Sequence, residues 1–361
     1  MERWMSKGDS KEALLSHVGR LSQLGGISNF VYADGPAKGT SGLRVRTASG
    51  LEFWVVPDRG MDIYEASFRS DSLCWQSPSG LVHPSYYSSR GLEWLKSFAG
   101  GLLTTCGLTT VGMPSTDDGQ ELGLHGSISN TPAEHVAWTE TWKNDDCHFE
   151  IKGRVRETSV HGPNLLLERT ISTSLKSKSL TIEDSIENQG VRDAPLMVLY
   201  HFNFGYPLLT PQSRIFTTSR KVDPATPFAA ESLNEWMIFD APKRNQMERV
   251  YFHEMESADD GWVTVVLVRD REQLDFGIAL SYDTSTLPQL VQWKMTGENH
   301  FALGLEPSNC RTLGRHAERE RGTLQILEPE QRRNFRLKIE VLDNAKSVKE
   351  AIGLMGSQKG N

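Results

Sequence analysis

His148-Phe149-Glu150-Ile151-Lys152-Gly153-Arg154-Val155-Arg156-Glu157 alternates from end to end. Phe149, Ile151, Gly153 and Val155 fall on one side of an extended chain, and Glu150, Lys152, Arg154 and Arg156 on the other. A period of two, with one apolar and one charged face, marks an antiparallel strand with one wet face. The same reading extends outward in both directions. Residues 165–175 and 179–188 alternate; in the second, Leu180, Ile182 and Ile186 oppose Thr181, Glu183 and Glu187. Residues 51–56 are apolar and aromatic and stop at Pro57. Residues 263–269 and 276–282 continue the pattern, and Phe335, Leu337, Ile339 and Val341 alternate with Arg336, Lys338 and Glu340. Helical spacing is confined to residues 11–24, residues 347–355 and one turn within 91–98. Many strands cut by Gly, Pro and Asp turns, with few helices, predict an all-β chain built as a large sandwich.

No short-period repeat is present, and no linker of Pro, Gly or Ser is long enough to divide the chain. One unit over residues 1–361 is expected, with its core from about Leu21 to Leu342. Residues 207–230 are turn-rich and read as a long surface connection; the end from about Leu354 reads as loose. The 361 residues carry a net charge of −7. There is no basic stripe, which argues against a nucleic-acid partner. No apolar run reaches membrane-spanning length. Residues 1–24 are polar and charged, unlike a signal peptide. A cytoplasmic setting follows as the expectation, with Cys74, Cys106, Cys147 and Cys310 as free thiols, since they are scattered and form no C-x-x-C pair.

Three short stretches each carry one proton-transfer side chain: Gly123-Leu124-His125-Gly126, Tyr200-His201-Phe202-Asn203-Phe204-Gly205 and Gly304-Leu305-Glu306-Pro307. Two imidazoles and a carboxylate are what a sugar ring needs to open and close by general acid–base catalysis. Glu306 ends an apolar strand, where an unpaired charge is costly. Arg59, in Pro57-Asp58-Arg59-Gly60-Met61-Asp62, offers a fork suited to vicinal hydroxyls, against the plainer reading of a surface pair with Asp58 or Asp62. Trp75, Trp94 and Trp293 are candidate stacking surfaces for a sugar, although core packing is the commoner fate of tryptophan. Gln76, His83 and Tyr86 form a polar-aromatic cluster in a loop suited to covering such a site. There is no Walker loop, nucleotide glycine fingerprint, nucleophile elbow or paired metal-ligand motif, so no cofactor is expected. His125, His201, Glu306 and His253 remain a conceivable metal-ligand set.

The chain resembles the galactose mutarotase (aldose 1-epimerase) superfamily, and within it the branch labelled DUF4432. The resemblance rests on Pro57–Ile63, Trp75-Gln76-Ser77-Pro78, Gly100–Gly107, Gly123–Gly126 and Gly304–Pro307. It implies a β-supersandwich of large antiparallel sheets with a carbohydrate cleft. It further implies that Glu306 is the base for the anomeric hydroxyl and His201 the acid for the ring oxygen. By the same resemblance His125 holds and polarises the sugar, with Asn203 beside His201 and His253 in the region of a further binding residue; Arg59, Trp293 and Gln76 are expected to help bind it on their own chemistry. Ala99 stands where the hexose-phosphate branch places a sugar-binding arginine, which makes Arg59 the alternative cation. The superfamily's further acidic residue falls near His253, Glu254 or Asp259. The expected activity is cofactor-free interconversion of the anomers of a free sugar or sugar acid, with a homodimer as a possible assembly. Two alternatives stay open: a sugar isomerase or lyase, metal-dependent or not, on the same scaffold, and a non-catalytic carbohydrate-binding protein.

Overall fold

The computed structural model describes residues 10–357. Two antiparallel sheets, of twelve and eight strands, make up most of it. The alternating segments form the eight-stranded sheet. Asp146–Thr158 pairs with Glu134–Lys143 on one side and Asn164–Ser174 on the other; Ser179–Asn188, Arg332–Leu342, Gly277–Asp283 and Trp262–Val268 follow in order. Burial along Asp146–Thr158 alternates as the sequence predicts, because Phe149, Ile151 and Val155 face the other sheet.

The twelve-stranded sheet carries two of the three motif stretches, those of His201 and Glu306. Its middle runs Asp62–Phe68, Leu103–Leu108, Ala194–Gly205, His300–Ser308, Gln289–Gly297 and Arg249–Met255. Tyr200, Phe202, Leu303 and Leu305 point into one core shared with Ile151, Ile171 and Leu337 of the opposite sheet. The outward face of these strands holds a second apolar cluster: Cys106, Met197, Leu199, Phe252 and Val291 pack under Trp94 and Phe98. Trp94 and Phe98 belong to a long excursion from Trp75 to Gly101. Its two legs pair at Gln76 and Gly100, and the Gly101 amide donates to the Trp75 carbonyl at 2.8 Å. This flap lies over the outward face.

Helix is sparse, as expected. Lys11–His17 is capped by the Ser10 side chain, a 3-10 turn spans Leu21–Gln23, and Ala345–Ser357 is longer than residues 347–355. Residues 91–98 contain a 3-10 turn, Glu93–Lys96. Residues 207–230 differ from the expectation. They hold the helical turn Pro227–Ala230 and strands Arg214–Phe216 and Ser219–Pro224, and the two strands each pair with a distant strand that local sequence does not reveal. The chain from 354 continues as helix to Ser357; residues 1–9 and 358–361 lie outside the described residues. All four cysteines are buried free thiols. No helix among the described residues is long and apolar enough to cross a membrane.

Candidate active site

His201 and Glu306 come together by strand register. Leu199 pairs with Ser308 and Phe202 with Leu305, which sets His201 opposite Glu306 on the outward face. Their Nε2 and Oε1 atoms lie 3.1 Å apart, and the residues are 5% and 2% exposed. The approach is off-axis, so Glu306 Oε1 accepts no hydrogen bond. His201 Nδ1, Asn203 Oδ1 and Trp94 Nε1 are also buried without partners. In folded proteins some nine in ten buried polar groups are paired. The grouping of such atoms here, with Asn203 close enough to His201 to act on its titration, makes this the candidate ligand site.

Gly304 makes the room. It sits beneath Trp293 and beside Glu306; a Cβ there would collide with Glu306 Oε1 and stand 3.0 Å from Trp293 Cβ and 3.2 Å from His201 Cε1. An isolated glycine inside an apolar strand is the sequence signal for such a close approach. Trp293 forms a wall, its ring 5.7 Å from that of His201. Phe98 of the flap closes over His201 with ring centres 5.2 Å apart, and Trp94 stacks on Phe98 at 4.6 Å.

His125 arrives from the turn Gly123–Gly126 in a left-handed conformation, φ 57°, held by the Gly112 carbonyl on its amide and by donation from the Gly107 amide to its carbonyl. Its ring lies 4.8 Å from that of Trp94 and 6.0 Å from that of His201. The three acid–base candidates and Trp293 therefore converge. Asn203 stands next to them, but its amide nitrogen donates to the Gly101 and His201 carbonyls, which braces the strand and leaves only Oδ1 free.

Burial dominates the electrostatics. It pushes His201 down to about 3, with His125 adding to the effect, and it pushes His125 down to about 4. It holds Glu306 well above the usual carboxylate range, with the Glu248 charge adding to it. Burial therefore favours the neutral imidazole at His201 and His125 and the protonated form of Glu306.

Three expected contacts do not form here. Arg59 is 5% exposed, and its guanidinium donates to the carbonyls of Ser129 (2.6 Å), Val82 (2.6 Å) and Ser97 (2.9 Å). It ties the flap to the 129 turn and is not available as a sugar-binding fork. His253 lies on the inward face of its strand. Its Nδ1 meets Ser219 Oγ at 2.9 Å and its Nε2 meets Gln292 Oε1 at 3.1 Å, so the alternation of Arg249–Met255 turns it away from Glu306. Gln76 is exposed at the neck of the flap, beyond Trp75, and lines a separate groove. The sequence reading missed Glu248, whose Oε2 accepts a 2.7 Å hydrogen bond from Trp293 Nε1 and whose charge acts on Glu306. It lies just ahead of the stretch in which an acidic residue was sought. Among the described residues, no three His, Cys, Asp or Glu side chains group as a metal site.

The fold is shared with solved structures. A "putative aldose 1-epimerase" from Klebsiella pneumoniae subsp. pneumoniae MGH 78578 superposes with a TM-score of 0.88 at 25% identity, over 93% of this chain and 88% of that one. A galactose mutarotase-like protein from Clostridium acetobutylicum gives 0.61 at 14% identity, over 89% and 99%. Galactose 1-epimerase from Lactobacillus acidophilus NCFM gives 0.57 at 11% identity, over 88% and 99%; at these lower identities the likeness is one of fold. No curated protein sequence matches the chain. The architecture is galactose mutarotase-like, and the model of the domain of unknown function DUF4432 matches residues 37–341, so the chain belongs to that family.

Proposed function

We propose that this protein is an aldose 1-epimerase acting on a neutral reducing sugar. The observation that carries the reading is the group of unpaired buried atoms around His201 and Glu306: Nδ1, Oε1, Asn203 Oδ1 and Trp94 Nε1. Sugar hydroxyls both donate and accept, and would satisfy all four. The charge balance favours a neutral sugar over a sugar acid. Arg59 is spent on backbone carbonyls, and the outside charge acting on Glu306 is that of Glu248.

The pair shares one transferable proton, and burial favours its place on Glu306 over His201. Hydrogen bonds from bound sugar stabilise the carboxylate and let the proton pass to His201 Nε2, 3.1 Å away. Glu306 then takes the proton of the anomeric hydroxyl while His201 gives its own to the ring oxygen. The bond between C1 and the ring oxygen breaks, leaving an open aldehyde. Rotation about C1–C2 presents the other face of the carbonyl, and the reverse transfers close the ring. His125 positions the ring oxygen or a neighbouring hydroxyl, and Trp293 takes the apolar face of the ring.

The test is one-dimensional exchange NMR on a panel of reducing sugars. Wild-type protein should accelerate α/β exchange of at least one of them. Glu306→Gln and His201→Asn should each lower that acceleration by about a hundredfold or more, the usual scale for losing a general acid or base. Wild-type rates in both variants would sink the assignment.

A further inference from the structure

Glu248 has no part in the ring-opening steps, yet it holds one wall of the site. It lies just ahead of strand Arg249–Met255. Val250 pairs with Trp293, and Glu248, two residues earlier, falls on the same face as Val250. That diagonal between neighbouring strands is within reach of long side chains. Glu248 Oε2 accepts from Trp293 Nε1 at 2.7 Å, the length of a charge-assisted hydrogen bond. Glu248 is exposed, and among the described residues it takes part in no ion pair. Arg249, next to it, falls on the other face and lies 4.5 Å over the Phe228 ring. The carboxylate therefore engages an indole and not a cation.

Trp293 has little else to fix its plane. Its ring meets those of Trp75, His201 and Phe98 at 65°, 68° and 64°, with centroids 5.6, 5.7 and 6.4 Å away. All three are T-shaped contacts, and none clamps the ring as the parallel stack of Trp94 on Phe98 does. Beneath Trp293 stands Gly304, which has no side chain to brace it. The hydrogen bond at the far end of the indole is what sets its tilt. The two indoles of the site thus differ. Trp94 Nε1 is buried without a partner, whereas Trp293 Nε1 is taken. Trp293 has only its ring face to offer a sugar.

We infer that Glu248 is a positioning residue: by holding the indole nitrogen it aims the face of Trp293 at the sugar above His201 and Glu306, and it acts on the sugar only through that ring. The inference rests on the proposed epimerase reading and deepens it. A ring held in place before the sugar arrives loses less freedom when the sugar binds. Stacking on the apolar face of a sugar is made before and during ring opening alike, so its loss falls on KM and not on kcat.

Two variants separate the hydrogen bond from the charge. Glu248→Leu removes the acceptor; Glu248→Gln keeps an acceptor oxygen and removes only the charge. The position is at the surface, so the fold should tolerate both. In exchange NMR on glucose and galactose, Glu248→Leu should raise KM about tenfold, the scale of one ring contact, with a kcat matching that of Glu248→Gln. Glu248→Gln should keep the wild-type KM; its kcat should change only in pH dependence, because the Glu248 charge acts on Glu306. In a Trp293→Ala background, Glu248→Leu should add no further loss. A KM raised equally in the Gln and Leu variants, or a further loss in the Trp293→Ala background, would mean that Glu248 meets the sugar itself, and would overturn the inference. The Nε1–H resonance of Trp293, assigned by its absence from Trp293→Ala, reads the hold without any sugar. It should persist in Glu248→Gln, and in Glu248→Leu it should move upfield and exchange faster with water. No acceleration of either sugar by the wild type counts against the epimerase reading, whereas an indole resonance unmoved in Glu248→Leu overturns the hold by itself.

Discussion

A methyl group on Gly304 would take the space in which Glu306 Oε1, His201 Cε1 and the Trp293 side chain meet. The position has ordinary strand geometry, so alanine meets no backbone penalty there and its whole cost is the filled space. Gly304→Ala should therefore cost about 1–3 kcal/mol of stability from overpacking. It should also lower kcat/KM for anomer exchange by about a hundredfold, since a small displacement of reacting groups has that scale of effect. Urea unfolding and exchange NMR on the same samples read the two quantities. Full activity with the fold intact would mean that the sugar does not react above Gly304. At this scale the sequence located three side chains that the structure brings together, His201, Glu306 and His125, each in a short segment whose neighbours set its geometry. It was misleading about Arg59 and His253. Arg59 follows a strand and precedes a turn, which is compatible with either a sugar fork or a clamp; its partners, Val82, Ser97 and Ser129, are fixed only by tertiary structure. His253 was ambiguous by one residue of strand phase, and one residue decides the face.

Among the elements, the flap from Trp75 to Gly101 decides access. It places Phe98 over His201, and it is bound on both flanks: to Arg59 through the Val82 and Ser97 carbonyls, and to the His125 turn through Tyr87 Oη donating to the Gly126 carbonyl at 2.9 Å. With His201 and Glu306 at most 5% exposed, the proposed sugar would reach them only if the flap moved. Arg59 then acts as a positioning residue. Arg59→Met should remove about 3 kcal/mol or more of stability by leaving three carbonyls unpaired, and should speed hydrogen exchange within residues 77–99. A sugar-binding arginine would give a different result: raised KM with flap protection unchanged. Hydrogen-exchange mass spectrometry without sugar distinguishes the two. The strands of the eight-stranded sheet were legible in the sequence because one face of each is wet, so alternation survives. The central strands of the other sheet were not. Ala194–Gly205 is buried on both faces, under the core on one side and the flap on the other, and its near-continuous apolar run hides its phase.

Across the whole molecule, the two sheets are joined by a charged network that the alternation already contained but that apolar patterning overlooks. Arg169, fully buried, pairs in register with Asp184, donating to Oδ1 at 2.9 Å and Oδ2 at 2.7 Å, and reaches Asp62 of the other sheet at 3.0 Å. Tyr200 donates to Asp184 at 2.8 Å, one residue before His201. The inner face thus fixes the strand whose outer face carries His201 of the candidate site. Buried histidines make this architecture sensitive to acid. Burial lowers His253 to about 4 and His201 to about 3, against 6.5 for the free side chain. A depressed folded value means that the unfolded chain binds more protons once the pH drops below about 6.5. The stability contributed by the neutral ring is therefore complete above 6.5 and is lost as pH falls toward 4. For His253 alone the loss by pH 5 is about 2 kcal/mol. His253→Gln keeps a polar group between Ser219 and Gln292 but cannot take the proton. Urea midpoints measured from pH 7.5 to 5 should fall in the wild type and fall less in His253→Gln, by roughly one proton's worth of slope. Parallel curves for the two proteins would mean that His253 is protonated equally in the folded and unfolded states, and that the inner face is wetter than its packing indicates.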